Sequence, residues 1–441
     1  MAKKMLFLFV LLLSLTGMLK AQVTTAGMSG KVMADEESVI GATVVAVHEP
    51  SGTSYGTVTN IDGRFSLQGM RSGGPYKVTV SYIGYQTAIY TGIQLQLGET
   101  YSLNVTLHEA SELLGEITIT ASKSKFSAEK TGATTNISSE QLTTLPSINR
   151  SISDFTRISP YASGNNFGGR DGRSNTFTVD GANLNNNFGL SSGLPGGGNP
   201  ISLDAIDEVQ VVIAPYDVRQ ANFIGAGINA ITKSGTNAYR GSAYMYFNNE
   251  VMRGNKIGDT DFGARAEESK TVYGATFGGP IIKDKLFFFA NVEYEKSPQQ
   301  VITWRAAKEG EDPNNSTISR TTEADLAEFS QILKDKYGYN TGSFTDFPAD
   351  VTNLKLLGRI DWNINQGNKL SVRYNFTNNK TWEAPNGSSG NTGYRLAYNR
   401  VSAYSMSYAN SCYSLQNIVN SATAELNSRF SSNISNLHTV T

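Results

Sequence analysis

Cysteine is almost missing from this chain: Cys412 stands alone among 441 residues. A disulfide framework and a cysteine metal cluster are both excluded by that count. Histidine is nearly as scarce, and His48, His108 and His438 fall in different segments without metal-ligand spacing. His48 and His108 therefore read as ordinary strand residues. Charged residues make up only 17%, and 37 Lys and Arg nearly balance 38 Asp and Glu. With no basic block, nothing points to a nucleic acid. No Gly-Lys-Ser/Thr follows a strand at P-loop spacing, no GxGxxG opens a helix, and neither a nucleophile elbow nor HExxH is found. The runs Gly164 to Gly172 and Gly196-Gly197-Gly198 thus read as loops. After the first residues no segment is apolar enough for a membrane helix. Membrane insertion, if it occurs, must use a β-barrel.

What is present begins with an address. Residues 1–21 read as a signal peptide, with Lys3 and Lys4 ahead of the apolar core Met5 to Leu15. Cleavage is expected after Ala21, leaving Gln22 as the mature start. No Cys follows, so a lipoprotein anchor is not expected.

Residues 22–110 carry short β-branched or aromatic runs at Val39 to Val47, Gly56 to Thr59, Arg64 to Leu67, Tyr76 to Tyr82 and Tyr101 to Leu107. Asn60-Ile61-Asp62-Gly63, Gly69 and Ser72-Gly73-Gly74-Pro75 separate them as turns, and the spacing predicts a small β-sandwich. Residues 111–122 form a linker with an extended peptide, Glu116-Ile117-Thr118-Ile119-Thr120-Ala121. Residues 123–235 predict a mixed α+β unit. Ser138 or Ser139 caps a short helix through Glu140-Gln141-Leu142 that Pro146 ends. Arg150 to Ile158 predicts a second, with Ile152, Phe155 and Ile158 on one face. Composition then shifts to Gly and Asn between Ser163 and Asn199, and strands are expected at Thr176 to Val179 and Glu208 to Ile213.

From Thr236 onward the period is two. Leu354, Leu356, Gly358, Ile360, Trp362 and Ile364 alternate with Lys355, Arg359, Asp361, Asn363 and Asn365, and Leu357 is the one exception. After Gln366-Gly367-Asn368-Lys369 the pattern repeats in Leu370, Val372, Tyr374 and Phe376 against Ser371, Arg373, Asn375 and Thr377. Phe288, Ala290, Val292 and Tyr294 do the same after a turn around Pro280 to Lys285. Tyr239 to Asn248 and Lys270 to Gly278 add two strands. Strands of this kind, joined alternately by tight turns and long polar excursions, predict a transmembrane barrel. The excursion Ser297 to Asp350 should carry a self-packed helix, started by Thr322 and Asp325 and striped by Leu326, Phe329, Ile332 and Leu333. Glu293 and Glu295 share a strand face as a glycosidase pair would, but a polar barrel lumen explains them more simply.

Several of these stretches carry a resemblance. Gly41-Ala42-Thr43-Val44, Thr59-Asn60-Ile61-Asp62-Gly63-Arg64-Phe65-Ser66-Leu67 and Tyr82-Ile83-Gly84-Tyr85 resemble the carboxypeptidase-regulatory-like domain, which implies a transthyretin-like, carbohydrate-binding-like fold. Glu116 to Ala121 is close to the TonB box. Thr178-Val179-Asp180-Gly181, Ile206 to Val211 and Gly225 to Gly235 resemble plug strands, and Gly278 to Phe289 resembles an early barrel hairpin. As a set, the chain resembles the amino-terminal part of a TonB-dependent outer-membrane receptor of the kind common in Bacteroidota, within the Oar-like branch. The resemblance implies a mainly β architecture: sandwich, plug at 123–235, then the first strands of an incomplete antiparallel barrel at 236–441. It also implies a protein that is not an enzyme, placed in the outer membrane with its N-terminal domain in the periplasm.

The resemblance implies three partners: the TonB carboxy-terminal domain at Glu116, Ile117, Thr118, Ile119, Thr120 and Ala121; outer-membrane lipid; and an unidentified large substrate. An extended β-branched peptide can add a strand to another protein's sheet. The alternative is that Ile117 and Ile119 form the last strand of the small domain. Asn166, Arg170, Arg173, Asn185, Asn186 and Asn187 are the polar substrate candidates in the plug loops. No cofactor or metal is expected. About 200 residues supply only about a third of a 22-stranded barrel, so a fragment is expected. A surface carbohydrate-binding or adhesion protein without energy coupling is the competing reading.

Overall fold

A computed structural model describes residues 23–109, 117–120, 133–144, 147, 150–185, 194, 199–215, 217, 220–221, 223–261, 263, 268–298, 301–302, 304–313, 317–385, 401–431 and 434–441. The signal peptide, Pro146, Glu116, Ala121, Asn186, Asn187 and Gly196-Gly197-Gly198 lie outside them. Two small sheets face each other at the N-terminal end. One contains Ala26–Ala34 beside Arg64–Met70, Thr100–Ser102 and Val105–Leu107; the other runs Ile117–Thr120, Ala88–Leu95, Gly73–Ser81, Thr43–His48, Thr53–Val58. Met28, Leu67, Tyr76, Val78, Val80, Ile93 and Leu107 fill the space between them.

Sequence patterning missed two of these strands, Ala26–Ala34 and Ala88–Leu95, and joined two others into one. Gly30 shows why the first was hard to see. An added Cβ there would lie 1.8 Å from the Leu103 carbonyl oxygen, so its glycine serves close approach and not a turn.

The plug is built on a sheet ordered Ala133–Ser138, Ile206–Ala214, Gly227–Thr232, Thr176–Val179, Ala182–Asn183. Helix Ser139–Thr144 starts reciprocally: Gln141 N–H donates to Ser138 Oγ at 3.5 Å and Ser138 N–H to Gln141 Oε1 at 3.0 Å. The second helix spans only Ile152–Thr156, so Ile158 falls past its end and is exposed, contrary to the expected three-residue face.

Seven antiparallel strands follow in sequence order: Arg240–Asn249, Ser269–Ile282, Leu286–Lys296, Thr352–Asn363, Asn368–Glu383, Tyr413–Arg429 and Ser435–Val440. Short turns alternate with long excursions. The strand before the first short turn continues through Pro280 to Ile282, where a bulge between Pro280 and Ile282 absorbs the proline. Helix Glu323–Tyr337 in the longest excursion has the expected Thr322–Asp325 capping box. Its stripe is less buried than expected: only Leu326 is in the interior, while Phe329 and Ile332 are exposed.

Burial across the wall decides what kind of sheet this is. On Thr352–Asn363, Leu356 (37%), Ile360 (48%) and Trp362 (41%) are exposed, while Lys355 (2%), Arg359 (7%) and Asp361 (3%) are buried. A soluble sheet would bury the apolar set. Here the apolar face is outside and the polar face packs on the plug, as in a membrane barrel. Leu357, the exception to the alternation, points inward and joins Phe289 in the plug's apolar core.

Candidate functional site

Thr178-Val179-Asp180-Gly181 makes a tight hairpin turn. Asp180 (φ 49°) and Gly181 (φ 83°) both take positive φ, the requirement of a type I′ turn that Asp-Gly meets. The turn aims the Asp180 carboxylate at the next strand, where it accepts from Thr232 N–H at 3.0 Å and Thr232 Oγ1 at 2.6 Å. Two wall arginines close on it: Arg373 at 3.6 Å and Arg359 at 4.0 Å. Arg359 also forks onto Asp361 at 2.8 and 2.9 Å and donates to the Thr232 carbonyl at 2.5 Å. Arg373 reaches Glu425 at 3.2 Å, and Arg71 of the sandwich reaches Asp361 at 3.5 Å. Sandwich, plug and wall thus meet in one buried charge network.

A second network lies between plug and wall. Glu293 accepts from Lys355 Nζ, Ser202 Oγ and Tyr244 OH, each at 2.8 Å. Plug residue Arg150 pairs with Asp204, lies 3.8 Å from Glu293 and stacks 3.9 Å above the Tyr246 ring. Glu295 is paired with Lys270 at 2.6 Å and lies 4.0 Å from Lys355, the lysine that also holds Glu293, so both carboxylates belong to one ion-pair network.

Residues 27–108 match the carboxypeptidase regulatory-like domain, and residues 231–440 match the outer membrane beta barrel domain. A relative, the TonB-dependent transporter Oar of Myxococcus xanthus, is 25% identical over 343 residues, or 74% of this chain. The chain is a relative of the TonB-dependent receptors. It is an outer-membrane β-barrel protein that spans 30% of the length of that relative. Among solved structures, a ferric enterobactin receptor of Pseudomonas aeruginosa is 14% identical, covering 71% of this chain and 41% of its own, with a TM-score of 0.43. The outer-membrane transporter YddB of Escherichia coli is 13% identical, covering 68% and 37%, with a TM-score of 0.41.

In this receptor relative, Ile117–Thr120 is not an isolated peptide. It adds to the sandwich as an edge strand, parallel to Ala88–Leu95. The described plug-loop candidates, Asn166, Arg170, Arg173 and Asn185, share one end of the plug sheet, opposite Asp180. Asn166 Oδ1 accepts from Gly172 N–H at 2.9 Å, and Asn185 Oδ1 accepts from Phe177 N–H at 2.6 Å. Both amides therefore brace loops. Arg173 is paired with Asp171 at 2.9 Å, and Arg170 is exposed. The loops meet at Asn175, whose Nδ2 donates to Asn165 O at 2.8 Å while Asn185 donates to its carbonyl at 3.3 Å.

Asp180, Arg359 and Arg373 were not singled out from sequence. Their signal was present in the acidic Asp-Gly turn and in arginines on the polar face of an alternating strand. His48 is buried, its Nδ1 lies 2.7 Å from Ser51 Oγ, and burial beside the Arg71 cation pushes its pKa down to about 3. It is a neutral structural histidine.

Glu208 is a buried titratable group at the sandwich–plug contact. Burial, reinforced by Asp207 and Glu99, pushes its pKa up to about 8 against the hydrogen bonds from Leu97 N–H. A raised carboxyl pKa means the folded state binds the proton more tightly than the unfolded chain, so stability falls as pH rises between about 4.5 and 8. Thermal midpoints are expected to drop across that window by at most about 1.4 kcal/mol per pH unit in stability. Glu208→Gln should flatten the dependence; an unchanged slope would assign it to other groups.

Proposed function

We propose that the protein is a TonB-dependent transporter that moves a large, still unidentified substrate across the outer membrane. The observation that supports this most directly is the inverted wall: apolar outside, charged inside, and closed on a plug with its own sheet by Asp180, Arg359 and Arg373. A plug held by buried ion pairs can be shifted without leaving a large apolar surface in the lumen. The TonB carboxy-terminal domain takes hold at Glu116 to Ala121 from the periplasm, where the sandwich lies. Arg170 and Arg173, on the opposite loops, face the side from which substrate arrives. An adhesion protein needs neither a lipid-facing wall nor a plug.

Ile119→Pro removes one N–H and fixes φ, which breaks an extended strand pairing. Binding of the TonB carboxy-terminal domain to the receptor is expected to weaken by about tenfold or more, equivalent to a lost main-chain hydrogen bond and its neighbour. Titration calorimetry reads it directly. Equal affinity of variant and native protein would sink the energy-coupling reading.

A further inference from the structure

Ile117–Thr120 lies along Ala88–Leu95 with Ile117 opposite Ala88, Thr118 opposite Ile89, Ile119 opposite Tyr90 and Thr120 opposite Thr91. Two residues past the end of that neighbouring strand, Leu97 is fully buried and held by the plug through both backbone groups. Its N–H donates to the two Glu208 carboxyl oxygens at 3.0 and 3.1 Å. Its carbonyl accepts from Gln210 Nε2 at 2.5 Å and Asn136 Nδ2 at 3.3 Å. Its side chain packs against Ile231 of the plug sheet. Glu208 and Gln210 sit on Ile206–Ala214, and Asn136 is paired with Gln210 from Ala133–Ser138.

A short path therefore joins Ile117–Thr120 to plug strands Ala133–Ser138 and Ile206–Ala214 without following the chain. The covalent route from Thr120 to Ala133 passes through residues 121–132. A chain of that length can reach about 45 Å before it is taut. The path through Leu97 crosses only one strand pairing and the contacts of Leu97, and a strand pulled along its neighbour loads several backbone hydrogen bonds together.

We propose that the regulatory-like domain is a second mechanical link, carrying tension from the TonB-binding strand through Ala88–Leu95 and Leu97 into plug strand Ile206–Ala214. This rests on the reading of Ile117–Thr120 as the TonB-binding strand. The domain also touches barrel residues: Asn427 Nδ2 donates to Gly69 O at 2.6 Å, and Asn363 Nδ2 to Thr53 Oγ1 at 3.0 Å. Those contacts tie it to the wall, and the test has to separate the two attachments.

A site-specific protease sequence inserted between Lys125 and Phe126 allows the covalent route to be cut in protein extracted from outer membranes. Immobilised TonB carboxy-terminal domain then retrieves whatever remains joined to the strand. The cut protein is expected to bring down the plug-and-barrel portion together with the sandwich. Glu208→Ala combined with Gln210→Ala should reduce that recovery by about tenfold after cutting, and not before. Retrieval of the sandwich alone from otherwise unaltered cut protein overturns the second link. So does equal recovery with and without the double substitution, since the wall contacts then do the holding. Retrieval of neither portion, cut or uncut, overturns instead the TonB-binding strand itself. If the double variant does not accumulate, Gln210→Ala alone should give a partial loss, and undiminished recovery counts against the link.

Discussion

Arg359→Ala is expected to destabilise the folded protein by about 3–5 kcal/mol, the usual consequence of removing one partner from a buried ion pair. The Asp361 carboxylate would lose both forked hydrogen bonds and keep only Ser371 Oγ at 2.6 Å and Arg71 at 3.5 Å. Asp180 would keep Arg373 but lose its second cation, and the Thr232 carbonyl would lose its donor. Denaturant titration in detergent measures the loss. A second reading comes from cells: a loosened plug should raise sensitivity to an antibiotic too large for ordinary porins. Arg359→Met with Asp361→Asn is expected to recover more than half of the loss, because no uncompensated buried carboxylate remains. A loss below about 1 kcal/mol for Arg359→Ala would mean that the network is solvated, as an exposed pair is.

The distribution of these contacts bears on transport. Phe289 and Leu357 are the wall residues within the buried apolar core of the plug. Much of the remaining hold is polar: Thr377 Oγ1 donates to the Pro200 carbonyl at 2.6 Å, and Glu293 gathers three donors. Polar contacts of this kind can be exchanged for water when a plug moves, whereas a large apolar interface would have to be exposed.

The wall was legible because a period of two over twelve residues survives any tertiary setting: Thr352–Asn363 is a strand wherever it packs. Leu357 shows the limit. Its inward side chain belongs to the plug's core, and no local pattern says what will fill the lumen. Ala88–Leu95 was missed because Gly92 interrupts it and the adjacent Ala88 and Ile89 are both buried, which breaks the alternation. Asp180 was seen as part of a motif, but its role depends on Arg359 and Arg373, which lie nearly two hundred residues away in sequence. The site residues split in the same way. Asn166 and Asn185 were chosen for polarity, and that polarity is spent inside the loops, on Gly172 and Phe177. The extended character of Ile117–Thr120 was readable from its β-branched residues, and the alternative that it closes the small domain matches its place in the sheet, but the particular strand it pairs with was not readable.

Leu356→Arg separates a lipid-facing wall from a soluble sheet. Leu356 lies near the middle of Thr352–Asn363, opposite Val292 on one neighbour and Phe376 on the other, and is exposed on the outer face. An arginine at the midplane of a barrel's lipid face costs about 2–4 kcal/mol. The same change at an exposed site in water stays within about 0.5 kcal/mol. Folding of the protein into phospholipid vesicles from urea should therefore fail or shift strongly for Leu356→Arg and hardly at all for Leu356→Val. Leu356→Val trims the side chain but keeps it apolar, so a large difference between the two reports the charge meeting the medium outside. Equal folding of both would mean that this face meets water or protein, and the alternation would then belong to a soluble sheet.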